Sequence, residues 1–156
     1  MLIPAILLAI VAAAIGWLTP RLIAHYKKPS YLGQDAAAVA KDLNCGGYEK
    51  AAKHDESVYK YFDQGTCVLD GTTLVTITTF ATAADGEAFA SVMRAVIPVL
   101  HPTWSGASYA AGEGWNVADA KNLTAQAAEL AVRRLGAGAV HTIPSAGLAT
   151  PSPSHS

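Results

Sequence analysis

The segment Leu2–Leu18 limits this chain most: it holds no charged residue and is dominated by Ile, Leu, Val and Ala. A helix on the surface of a water-soluble domain keeps a polar face, and this run has none. At a rise of about 1.5 Å per residue it covers roughly 25 Å, and extension through Thr19 and Pro20 approaches a bilayer core of about 30 Å. Trp17 and Tyr26 stand near one end, where amphipathic aromatics favour the membrane interface. Pro4 falls in the first turn, where a missing N–H costs little. Residues 1–28 therefore read as a single-pass membrane anchor with a basic flank, in contact with the lipid bilayer. A cleaved secretory signal is less favoured, because no Lys or Arg precedes the run, although Ala12-Ala13-Ala14 would suit a peptidase.

Orientation sets two rules against each other. Arg21, Lys27 and Lys28 flank the C-terminal side of the run, which by the positive-inside rule places the following domain in the cytoplasm. The cysteines favour the opposite side. Cys45 and Cys67, 22 positions apart, have the pattern of an extracytoplasmic disulfide in a small domain, and closing that loop restricts the unfolded chain by about 3 kcal/mol. Two buried free thiols or half of a metal site are the competing readings. The missing C-x-x-C spacing and the lack of a nearby His or third Cys at ligand spacing weaken zinc.

Residues 29–34 read as a juxtamembrane linker, 35–143 as one domain, and 144–156, rich in Pro and Ser, as a disordered tail. Ala36, Val39, Ala40 and Leu43 fall at i, i+3, i+4 and i+7 and predict a short helix, started by Asp35 or Gly33 and ended by Asn44 or Gly46-Gly47. Tyr48–Glu56 is polar and reads as a loop or irregular helix. Val58, Tyr59, Tyr61 and Phe62 lead into a β run at Thr66–Leu69. Asp70-Gly71 then separates that run from Leu74–Phe80, the strongest short-range hairpin signal, since both turn residues accept positive φ. Phe89, Val92, Met93, Val96, Ile97 and Leu100 predict a helix from about Ala84, with Asp85 suiting its N-terminus and Pro98 ending or kinking it. A second β pair turns at Gly112-Glu113-Gly114 within Ser105–Val117. A helix from about Ala120 to Leu135 follows, with Leu123, Ala127, Leu130 and Ala131 on one face, and Ala139–Ile143 adds an edge strand.

This order predicts an α+β domain: an N-terminal transmembrane helix, then a small antiparallel sheet of three to five strands with helices packed on one face. A ferredoxin-like arrangement is one candidate topology. Beyond residue 30 the chain carries 8 basic and 12 acidic residues, a net charge of −4, which disfavours nucleic acid as a partner.

Candidate chemistry is sparse. The five histidines form no H-x-x-H or H-x-x-x-H pair. Ser91, His101 and Asp85 could be written as a triad, but no G-x-S-x-G elbow marks a nucleophile. Gly112-x-Gly114 runs from strand to strand and is too short for a dinucleotide fingerprint. The sequon Asn122-Leu123-Thr124 falls within a predicted helix. No catalytic residue, cofactor or metal ligand is assigned, and the chain is not read as an enzyme. Trp104, Tyr109 and Trp115 cluster around the second hairpin and read either as plain core or as a contact surface for a partner or a glycan.

The stretches AAAVAKDLNC, TCVLDGTTLVTITTF and GEGWNV, with an Ala-rich helix ending in RRLG, give Ala36–Gly136 a resemblance to small membrane-anchored or lipoprotein-type extracytoplasmic domains of actinobacteria. That resemblance implies a Cys45–Cys67 disulfide and an external location, and it implies no activity. The chain departs from the pattern in lacking a lipid-attachment cysteine. The leading expectation is an anchored extracytoplasmic binding or accessory domain with an envelope protein partner. The alternatives are a membrane-tethered enzyme centred on the His54 loop or the His101 turn, and a cytoplasmic-facing membrane regulator.

Overall fold

The computed structural model describes residues 29–53, 57–102 and 106–144. The segment Leu2–Leu18, His54, Trp104 and the tail from residue 145 lie outside them. Among the described residues no helix is long and apolar enough to cross a membrane.

The elements follow in the order α1 (Ala36–Asp42), β1 (Gly46–Lys50), β2 (Asp63–Leu69), β3 (Thr73–Thr79), α2 (Ala83–Leu100), β4 (Ala107–Gly112), β5 (Trp115–Asp119), α3 (Ala125–Leu135) and β6 (Ala139–Ile143). The fold is α+β, a six-stranded antiparallel sheet with strand order β1-β2-β3-β5-β4-β6 and three helices. Both hairpins form where the turn chemistry requires. Asp70 and Gly71 take φ of 56° and 72°, and Thr72 N–H donates to the Leu69 carbonyl at 3.3 Å. Glu113-Gly114 joins β4 to β5.

Two expectations about architecture are corrected. The helices do not share a face: α1 and α3 pack over Cys67, Leu69, Val75, Ile77, Ala110 and Val117, whereas α2 packs over Ala107, Tyr109, Ala118 and Ile143, which point the other way. The crossovers β3–α2–β4 and β5–α3–β6 step in the same direction across the sheet from antiparallel starting strands. A common crossover handedness therefore puts their helices on opposite faces. Nor is the topology ferredoxin-like. The unit β3–α2–β4–β5–α3–β6 has the right element order, but β6 adds beside β4 instead of beside β3.

The sheet also has one strand more than expected. Tyr48–Glu56 is not wholly loop, because Gly46–Lys50 pairs with β2 as an edge strand. Its polar composition hid it, since an edge strand half in solvent needs no apolar alternation. Tyr31, within the expected linker, is a core residue: its N–H donates to the Glu113 carbonyl at 2.9 Å and its hydroxyl to Asp42 at 2.7 Å. Burial and that carboxylate push the Tyr31 phenol well above its ordinary pKa.

Helix ends are set partly by distant residues. Asp35 precedes α1 without a side-chain cap; instead Ala36 N–H donates to the buried carboxylate of Asp63, 27 positions away, at 3.0 Å. Asp63 also pairs with Lys50 at 3.0 Å. Arg134 leaves its own helix end to donate to the Leu43 carbonyl at 2.8 Å and to pair with Asp70 at 3.1 Å. The last helix starts later than predicted, because Leu123 adopts φ 48° and breaks it, turning into the α2-side core. The buried Asp119 carboxylate ties down that bend, accepting from Lys121 N–H (2.8 Å), Asn122 N–H (3.2 Å) and Thr124 O–H (2.9 Å). Gly136, at φ 63°, ends α3 in the left-handed region. Pro98 does not end α2, which runs two residues further. In the last turn one lost backbone bond is tolerated.

Candidate functional site

Helix α2 sits on the β4–β6 half of its face, and among the described residues no helix packs on the β1–β3 half. Thr82 starts it, accepting from Asp85 N–H at 3.2 Å while its hydroxyl donates to the Asp85 carboxylate at 2.6 Å. Phe89 and Met93 anchor it against Tyr61, Phe80 and Tyr59, the Phe89 ring lying edge-on to Tyr59 at 4.8 Å. Farther along, Val96, Val99 and Leu100 are 37%, 76% and 64% exposed. Leu74 is exposed on the same sheet face.

Two openings flank the helix. One is a groove of about 410 Å³ between its C-terminal half and strands β2 and β3, with Val92, Val96 and Ile97 on one wall and Gln64, Thr76 and Thr78 on the floor. Gln64, Thr78 and Asn116 form one cross-strand row there, and the Gln64 amide donates to Thr78 Oγ1 at 2.8 Å. The other is a cleft of about 370 Å³ on the opposite flank. Its helix wall is lined by the small residues Ala83, Gly86 and Ala90, and its sheet wall by residues of β4, β5 and their turn. Phe80, Arg94, Tyr109 and His141 line it, and Asn116 reaches both openings from beneath the helix.

Two polar groups under α2 lack partners. Asn116 is 3% exposed and Tyr109 1% exposed, and among the described residues neither Asn116 Nδ2 nor the Tyr109 hydroxyl has a partner in hydrogen-bond geometry. Each costs about 1–3 kcal/mol of desolvation without compensation. The Tyr109 ring stacks on His141 with centroids 5.2 Å apart. Burial raises the pKa of its phenol, and the nearby Arg94 guanidinium partly opposes that rise. Arg94 donates to Ser91 Oγ at 3.2 Å and forms no ion pair among the described residues.

The expected residues meet mixed outcomes. Cys45 and Cys67 are joined by a disulfide, with Cα atoms 5.7 Å apart. Tyr109 and Trp115 do not form a shared contact surface: both are buried, on opposite faces of the sheet, Trp115 in the core beside Gly112 and Gly138. Asp85 lies in the first turn of α2 and His101 caps its C-terminus, sixteen residues or roughly 24 Å along a helix, so Ser91, His101 and Asp85 do not form a triad. His101 instead lines the groove. Asn122 lies in the exposed bend before α3 and not within a helix. Among the described residues no three His, Cys, Asp or Glu side chains gather as a metal site.

Asn116 and Arg94 were missed by sequence reasoning. A signal for Asn116 exists: in Trp-Asn-Val-Ala the asparagine takes the inward position of a strand buried on both faces. No protein-family model, curated protein or solved structure matches this chain.

Proposed function

We propose that the chain is a membrane-tethered, extracytoplasmic binding or accessory domain that engages an envelope protein through the α2 face of its sheet. The observation that carries this reading is the apolar strip Val96, Val99 and Leu100, left in solvent beside the open groove, with Leu74 also exposed on the same sheet face. Helix surfaces of isolated domains bury such strips, and an exposed one rimmed by polar side chains marks a contact surface. The Cys45–Cys67 bond supports an oxidising compartment, and Leu2–Leu18 supports the tether.

A photo-reactive residue at Val96, compared with one at the exposed Gln126 of α3 on the opposite face of the sheet, tests the binding face in intact cells. Discrete cross-linked species from position 96 alone are expected; equal patterns from both positions, or none, would refute it. Labelling the cysteines with a membrane-impermeant maleimide tests the side of the membrane. Modification of intact cells only after reduction is the expected result, whereas modification only after lysis and without reductant would place the domain inside.

A further inference from the structure

We propose that the cleft between α2 and the β4–β5 hairpin binds a small monocarboxylate with an apolar or aromatic body. This deepens the binding-domain reading and rests on it. Three hydrogen-bond donors line it: Asn116 Nδ2, buried and without a protein partner among the described residues; the Arg94 guanidinium, which has no ion pair among them; and the buried Tyr109 hydroxyl, whose oxygen the same guanidinium approaches. Donors without acceptors call for a ligand end rich in lone pairs, and a guanidinium beside an amide suits the two oxygens of a carboxylate. Charge separates carboxylate from phosphate. Glu87 lies two helical turns before Arg94, about 10 Å along the axis, and Glu113 lies in the β4–β5 turn; both line the far end of the cleft. One cation facing two carboxylates suits a single negative charge and opposes a phosphate of charge about −1.5 to −2. The walls set the rest of the ligand: Phe80 and Phe89, with ring centroids 5.4 Å apart, and the small side chains of Ala83 and Ala90 offer an apolar bed.

The test uses the full chain in detergent micelles, followed by ¹H–¹⁵N spectra during titration with acetate, isobutyrate, benzoate and phenylacetate. Benzyl alcohol and inorganic phosphate serve as controls. The expected result is saturable movement of the Asn116 side-chain amide and the Gly112 and Gly114 signals with benzoate or phenylacetate, and none with benzyl alcohol or phosphate. Arg94→Gln, on an exposed helix position, should weaken carboxylate binding by roughly tenfold or more. Asn116→Leu should abolish binding while raising the melting temperature of the free protein, because it removes a buried donor that the free protein leaves unpaired. Saturation by phosphate or benzyl alcohol, no saturation by any of the four carboxylates, or full benzoate affinity in Arg94→Gln would each overturn the assignment. Position-96 cross-links that persist after such a failure would leave the binding-domain reading standing and sink the carboxylate site alone.

Discussion

Reducing the Cys45–Cys67 disulfide should cost this domain about 3 kcal/mol. The bond spans 22 positions, and the loop-closure entropy it removes from the unfolded chain amounts to roughly 3 kcal/mol at that length. Reduction leaves both sulfur atoms in place, so no cavity opens, although Cys67 is wholly buried. The native backbone at both ends is held independently: Cys45 N–H donates to the Ala40 carbonyl at 3.0 Å, and Cys67 sits within the β2–β3 ladder opposite Val75. The loss therefore falls on the denatured side. With an unfolding entropy of about 2.1 cal/mol/K per residue over roughly 115 residues, the melting temperature should drop by about 12 °C. Urea unfolding and thermal melting of the full chain in micelles, each followed by tryptophan fluorescence with and without phosphine reductant, measure the two quantities. The reduced chain should also show a steeper denaturant dependence, since its unfolded state expands further. A loss below about 1 kcal/mol with unchanged slope would refute the argument, for the unfolded chain would then be constrained by something other than the bond.

Asp63→Ala removes both the acceptor for Ala36 N–H and the partner of Lys50, and should destabilise by about 2–3 kcal/mol in the same urea assay. Asp119 is pulled two ways: burial raises its pKa, but Lys121 N–H, Asn122 N–H and Thr124 together outweigh it and hold the carboxyl below its ordinary value. Its contribution is therefore full above about pH 4 and is lost as pH falls through the folded value. Unfolding midpoints of wild type and Asp119→Asn should differ at pH 6 and converge by about pH 2; a gap that persists in acid would contradict the hydrogen-bond account. Gly138→Ala, at φ 84° with its new Cβ driven against the Ala111 carbonyl and Trp115, should cost about 2–4 kcal/mol. Gly136→Ala, at φ 63° with open space around it, should cost only about 1 kcal/mol, and equal losses at the two sites would show that packing against Trp115 contributes nothing.

Short-range chemistry was legible from the residues alone. Asp70-Gly71 had to turn because both positions tolerate positive φ, and the β-prone run Leu74–Phe80 that follows it forms the returning strand β3. These features depend on a few neighbouring residues, whose local energies decide them. The edge strand Gly46–Lys50 escaped because its residues are polar and its pairing energy comes wholly from β2. Leu123 satisfied the helical spacing yet took a left-handed conformation, since Asp119 gathers the donors of the next turn and the leucine fills the core under α2. The candidate site was still less accessible. Which face receives α2 follows from the directions of β3 and β5 and from crossover handedness, properties of the assembled sheet. Only that placement buries Asn116 beside Tyr109, and the small residues Ala83, Gly86 and Ala90 line the helix wall of the cleft beside them. The sequence determined where the chain bends and which residues seek the interior; the tertiary structure decided which polar groups were left there without partners, because solvation and hydrogen bonding depend on every element that packs around a side chain.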